Sequence, residues 1–115
     1  MAKPVLVAPR AEAQISALDA WWRRHRKRSP GLLSRELGEA LSTLEVAPKA
    51  GRRYPHSTIK GLRRIPLPAT RHHVYYITGK DAVIVLAVLQ TMSNMTYKRK
   101  YEGIETTPAR GPRLE

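Results

Sequence analysis

The side chains that could carry out chemistry in this chain are mostly basic, and they cluster in its second half. Cleavage of RNA without a metal needs a base for the 2′-hydroxyl, an acid for the leaving oxygen and a cation for the phosphate. His72 has a suitable ordinary pKa for the base. In a strand, however, one of His72 and His73 faces solvent and the other packs. The histidine pair alone therefore predicts no catalytic site.

The residue patterns that most other kinds of active site require are missing from the sequence. The sequence contains no cysteine, no paired carboxylates, no glycine-rich phosphate loop and no metal-ligand spacing. Of its two aspartates, Asp81 lies in a predicted turn, where aspartate is common for local reasons. We therefore expect no cofactor and no metal.

Charge is the strongest feature of the composition. Among 115 residues, 21 are Lys or Arg and 9 are Asp or Glu, giving a formal net charge of +12. Such an excess favours encounters with polyanions, either nucleic acid or an acidic protein. The longest apolar stretch, from Ala82 to Leu89, is far shorter than the ~20 residues of a membrane span. The N-terminus lacks the apolar core of a secretory signal, so we expect a cytoplasmic protein without membrane contact.

The first half of the chain predicts one strand and two helices. Val5-Leu6-Val7 is a short aliphatic strand, and Pro9 suits the first turn of the helix that follows. Ser29-Pro30 predicts the start of a second helix, with serine as its N-cap, that runs to about Val46. The short connection requires an antiparallel hairpin. Its apolar stripes consist of Ala11, Ile15, Leu18 and Trp22 in the first helix and Leu33, Leu37, Ala40, Leu41 and Leu44 in the second.

The second half predicts three strands. Leu62 to Leu67 contains Pro66, which indicates an edge position, and Arg71 to Thr78 is rich in β-formers. Gly79-Lys80-Asp81 closes a hairpin into Ala82–Leu89, the central strand. The predicted fold is α+β, in the order β-α-α-β-β-β, with the helical hairpin packed on a twisted, mostly antiparallel sheet.

Three segments give this order a family resemblance. They are Gly61-Leu62-Arg63-Arg64, His73-Val74-Tyr75-Tyr76 and the run from Val83 to Ser93 (VIVLAVLQTMS). The chain resembles the RelE/ParE toxins of type II toxin–antitoxin pairs, over roughly Lys3 to Asn94. The final strand, with Val88, Leu89, Gln90 and Met92, is similar to the ParE branch. We therefore predict a toxin domain over residues 1–95 and a basic, partly disordered extension over residues 96–115.

The resemblance implies two partners for a plasmid-stabilising toxin. The first is DNA gyrase, which members of the ParE branch are associated with poisoning. The second is a cognate, ParD-like antitoxin that wraps a disordered segment around the hairpin and sheet edge. The residues predicted to bind the target are Gln90, Met92, Ser93, Asn94, Tyr97 and Lys98, together with the cationic face of the sheet. Those predicted to bind the antitoxin are Ile15, Leu18, Trp22, Leu33 and Leu37, some of which must instead belong to the core.

Two alternatives stay open. The RelE branch cuts messenger RNA on the ribosome, and in that case Arg64, Arg71, His72 and Tyr97 would carry the chemistry. The sequence departs from that pattern, because Pro66 stands where a second base is expected and Thr91 to Ser93 occupy the place of a cation. The second alternative is a non-toxic partner-binding module that keeps only the fold.

Overall fold

The computed structural model describes residues 3–55 and 58–90. Two helices cover one face of a five-stranded sheet, which confirms the predicted α+β class. The strand order is β1-β5-β4-β3-β2; β1 pairs in parallel with β5, and the other neighbours are antiparallel. The elements are β1 Val5–Val7, α1 Pro9–His25, α2 Leu32–Val46, β2 Arg52–Arg53, β3 Arg63–Leu67, β4 His72–Thr78 and β5 Val83–Gln90.

The second strand, β2, was not predicted from the sequence. It is only two residues long and pairs with the start of β3, where Arg52 lies opposite Arg64 and Arg53 opposite Arg63. Beyond this short strand the outer edge of β3 has no strand partner among the described residues, and Pro66 lies there. Proline cannot donate to a ladder, so the predicted edge position of Pro66 is confirmed.

The second helix begins later than predicted. Pro9 does lie in the first turn of α1, as expected, but Ser29 is not an N-cap; α2 starts at Leu32 with Gly31 before it. The backbone carbonyl of Ser29 accepts hydrogen bonds from Trp22 Nε1 at 2.8 Å and from the Leu32 amide at 3.2 Å. Ser29 therefore closes the turn onto α1, and the helix can begin only after it.

The main core lies between the hairpin and the sheet. Alternate residues of β5 face the helices until Leu86, an extra residue between the pairs Val85–Tyr76 and Ala87–Tyr75. Such a bulge shifts the alternation by one residue. Tyr75 and Tyr76 point to opposite faces of the sheet, and both are fully buried. A second, small cluster covers Tyr75, because the segment between β2 and β3 folds over it with Tyr54 and Leu62.

One carboxylate ties the helices to the far end of the sheet. Glu36 in α2 accepts hydrogen bonds from the Ala69 amide at 2.7 Å, the Thr70 amide at 3.0 Å and the Thr70 hydroxyl at 2.6 Å. These bonds fix the turn between β3 and β4. Neither helix in the described part of the chain is long and apolar enough to cross a bilayer.

Candidate functional site

The face of the sheet that carries no helices holds a cluster of cationic and aromatic residues, which we call the helix-free cluster: Tyr54, Arg64, His73 and Tyr75. Tyr54 and Tyr75 are buried, whereas Arg64 and His73 keep accessible surface. Arg64 in β3 lies opposite Tyr75 in β4. Its guanidinium carbon is 4.9 Å from the centre of the Tyr54 ring, and its Nη1 is 3.4 Å from the Tyr75 hydroxyl. The two tyrosine rings meet edge to face at 5.7 Å. Arg64 is therefore held by aromatic contacts on a rigid sheet.

Backbone pairing brings Tyr54 to this face. The Tyr54 amide donates to the Leu62 carbonyl at 2.9 Å, which closes the segment between β2 and β3. Within that segment Leu62 is buried and Ile59 is half-buried, and both pack in the same small cluster as Tyr75. Burial of these apolar side chains holds the Tyr54 ring under the Arg64 guanidinium.

His73 completes the cluster and is neutral at physiological pH. Its ring centre lies 6.2 Å from that of Tyr75. Burial, the positive charge of Arg64 and, to a lesser extent, that of His72 together lower the pKa of His73 from 6.5 to about 4. An imidazole with this pKa binds a proton only weakly at pH 7. It can accept or donate a hydrogen bond there, but it is a poor general base.

We expect acidification to destabilise the fold through His73. Unfolded His73 takes up a proton near its ordinary pKa of 6.5, whereas the folded residue resists protonation until about pH 4. The unfolded state therefore binds more protons in this window, and the free energy of unfolding falls as the pH drops from 6.5 to 4. Urea midpoints measured across the window should fall more steeply for the wild type than for His73→Gln. Carboxylates contribute equally to both proteins, so the difference between their midpoints reports on His73 alone. Parallel midpoint curves would contradict the lowered pKa of His73.

Among the described residues predicted for RNA cleavage, Arg64 lies apart from Arg71 and His72. Arg64 belongs to the helix-free cluster, while His72 is buried on the opposite face, the one that the helices cover. The two faces follow from the pairing, because Leu67, the partner of His72, lies in the main core. Arg71 is exposed in the turn before β4, beside His72, and Tyr97 lies outside the described residues.

Only one of the residues predicted to bind the target can be placed. Gln90 is exposed at the end of β5. The other five lie outside the described residues: Met92, Ser93, Asn94, Tyr97 and Lys98.

The predicted antitoxin-binding set divides by burial. Three of its members are buried in the main core, between the helical hairpin and the sheet: Trp22, Leu33 and Leu37. A groove for a partner cannot be lined by side chains that the chain already covers. Ile15 and Leu18 are half-buried at the margin of the same core and keep accessible surface. Of the five, these two remain available to a partner.

The roles of Tyr54 and His73 were not predicted from the sequence. Tyr54 follows two arginines in a segment that reads as a solvent-facing loop, and His73 could not be assigned to a face. The register of β3 against β4 is the signal that joins them to Arg64. Within residues 3–55 and 58–90 no three His, Cys, Asp or Glu side chains are grouped to hold a metal.

Comparison with known proteins gives a family match and a fold match. A family model described as the ParE toxin of the type II toxin–antitoxin system parDE matches residues 5–95. A solved structure of the chromosomal ParDE toxin–antitoxin system from P. aeruginosa is similar at a TM-score of 0.64 and 13% identity, covering 78% of this chain and 97% of that one. A solved structure of a double mutant of the E. coli toxin RelE in the free state has a TM-score of 0.49 and 17% sequence identity. The match covers 85% of this chain and 93% of that one. No curated protein sequence matches the chain.

Proposed function

Because the chain belongs to the ParE family of toxins from type II toxin–antitoxin systems, we propose that it arrests bacterial growth by binding DNA gyrase. An antitoxin that binds the toxin would restrain it. In this proposal the chain inhibits its target by occupying a surface, without making or breaking a covalent bond.

The separation of Arg64 from His72 is the observation that supports a binding mode. Transfer of a phosphoryl group needs a base and a cation that converge on one phosphate. Here Arg64 and His72 lie on opposite faces of the sheet, and the cation beside His72 is Arg71, in the exposed turn before β4. The imidazole that does lie beside Arg64, that of His73, has its pKa lowered to about 4 and is a weak base at neutral pH.

The helix-free cluster is well suited to binding a macromolecule. The Arg64 guanidinium is already ordered between two tyrosines, so less conformational entropy is lost when a partner contacts it. Arginine is also among the residues most often found at the energetic centre of interfaces. We propose that gyrase contacts Arg64 and His73, the members of this cluster that keep accessible surface, and the segment that begins at Gln90.

The antitoxin would contact a different surface. A chain with a net charge of +12 favours an acidic partner, since opposite charges speed encounter and suppress wrong complexes. Ile15 and Leu18 offer the accessible apolar surface of α1 for such a partner. A disordered acidic segment would gain its order on binding there.

The proposal is tested by measuring both activities on purified protein. We expect the chain to inhibit supercoiling of relaxed plasmid by gyrase and to leave ribosome-bound transcripts intact. Arg64→Gln should weaken gyrase inhibition by about ten-fold, because it removes a central contact of the proposed surface. Arg35→Gln, an exposed change on α2, removes the same charge and should not alter inhibition. Circular dichroism establishes that both variants are folded.

Two results would overturn the proposal. Cleavage of transcripts on the ribosome would favour the endoribonuclease alternative. Normal growth of bacteria that express the chain alone would favour a non-toxic binding module, especially if purified gyrase were also unaffected.

A further inference from the structure

A cavity of about 530 Å³ lies on the helix side of the sheet, away from the helix-free cluster. It opens where the end of α1 meets the turn between β3 and β4 and the end of β5. Sites for small organic molecules commonly have volumes of roughly 300–1,000 Å³. The cavity is therefore large enough for such a ligand.

The wall on the α1 side is apolar and aromatic. It consists of Leu18, Trp21 and Trp22. Trp22 is only 9% exposed and belongs to the core, whereas Trp21 is 44% exposed. An exposed indole and a half-buried leucine beside a cavity give a ligand apolar surface to cover.

Two guanidinium groups also line the cavity. The Arg26 group lies 5.2 Å from the Trp21 ring centre and 5.6 Å from that of Trp22, so aromatic contacts hold it in place. Arg71 approaches from the turn, where it has a positive φ of 64° and its amide bonds to the Leu67 carbonyl at 2.8 Å. The left-handed conformation is strained for a residue other than glycine, and such strain is common at binding sites. Neither guanidinium forms a salt bridge within the described part of the chain.

Among the described residues, no carboxylate lines the cavity to balance these charges. Glu36 in α2, which binds this turn, already accepts three hydrogen bonds from Ala69 and Thr70. The Thr70 hydroxyl donates its hydrogen bond to Glu36 and is therefore not available as a donor to a ligand. The cavity thus joins an apolar wall to uncompensated positive charge.

We propose that this cavity binds a small organic anion. The carboxylate or phosphate of the ligand would lie between Arg26 and Arg71, and its ring or branched chain would contact Leu18 and Trp21. Guanidinium groups bind carboxylates and phosphates through paired hydrogen bonds, which suits them to this role. Gln90, at the rim, places the site next to the end of β5.

Intrinsic fluorescence tests the proposal directly, because the two tryptophans of the chain both line the cavity. We expect phenyl phosphate or benzoate to change the tryptophan emission with a saturable curve. Benzyl alcohol has the ring without the charge, and inorganic phosphate has the charge without the ring. Each should bind at least about ten-fold more weakly than the better aromatic anion, since each lacks one half of the recognition.

Matched arginine variants separate this site from general charge attraction. Arg71→Gln should weaken binding about ten-fold, because it removes one of the two anion contacts. Arg52→Gln removes the same charge from exposed β2, outside the cavity, and should leave the affinity unchanged. Emission that fails to saturate, or equal affinity for wild type and Arg71→Gln, would overturn the proposal. Equal weakening by both variants would also overturn it, since that result indicates non-specific attraction.

Discussion

Gly51→Ala should destabilise the protein by about 2–4 kcal/mol, the sum of overpacking and a lost hydrogen bond. A Cβ at this position would lie 2.6 Å from the Tyr76 hydroxyl oxygen, 2.7 Å from the Arg64 carbonyl oxygen and 2.8 Å from Tyr76 Cε1. The Gly51 amide also donates to that hydroxyl at 2.8 Å, and its carbonyl accepts from Arg63 Nη1 at 2.8 Å. The backbone of β3 and a buried ring would both have to move. Denaturant unfolding measures the loss.

Gly38 provides a control of opposite sign. It is exposed in α2, and a Cβ there would meet no atom within 4 Å. Gly38→Ala should therefore stabilise the protein by about 0.5–1 kcal/mol, because alanine is the better helix former. If the two substitutions changed the free energy of unfolding alike, the close packing around Gly51 would be contradicted.

Replacing Trp22 by alanine should cost about 3–5 kcal/mol, the usual range for removing a large buried aromatic ring. Trp22 is 9% exposed, packs in the main core, and donates its indole N–H to the Ser29 carbonyl at 2.8 Å. The substitution therefore opens a hole in the core and releases the turn between the helices. Because it also removes a fluorophore, unfolding is best followed by circular dichroism.

Trp21→Ala is the matched comparison, with the same change in side-chain size at the preceding residue. Trp21 is 44% exposed, and it contacts mainly His25, at 4.4 Å between ring centres, and Arg26. We expect a loss below about 1 kcal/mol, as for other surface substitutions. Similar losses for the two variants would contradict the burial that distinguishes them.

The sequence predicted the elements whose pattern is periodic. The predicted stripe of the second helix contained five residues. Four of them, Leu33, Leu37, Ala40 and Leu44, are buried, and Leu41 is half-buried at the margin of the same core. The aliphatic run of β5 identified a central strand, and its place between β1 and β4 is confirmed. Pro66 identified an edge for a reason that is independent of the rest of the fold.

Local pattern could not predict β2. Four arginines face one another in pairs across β2 and β3, and like charges opposite one another normally disfavour pairing. The pairing exists because distant residues hold the two segments together. The Tyr76 hydroxyl accepts from Gly51, and the Tyr54 amide bonds to Leu62. Contacts of this range have no signature in a short window of sequence.

The candidate site was predictable only in part, since it depends on register. Arg64 was identified as a candidate from its type and position. The bulge at Leu86 lies in a run where every residue is apolar, so no alternation reveals it. Without the pairing, His72 and His73 could not be assigned to faces, and the separation of His72 from Arg64 could not be foreseen. The same limit applied to Trp22, Leu33 and Leu37, whose stripe fits either a core or a groove.

The parallel pairing of β1 with β5 also has a consequence for synthesis on the ribosome. Val5 pairs with Val83, so the first strand has no neighbour until almost all of the described chain has been made. From Val46, where the hairpin ends, translation must add residues up to Gln90 before the sheet can close. At about 5–20 residues per second this interval lasts roughly 2–9 seconds. Throughout that time the nascent helices expose their leucines, so chaperones can bind this polypeptide and proteases can cut it before the sheet closes.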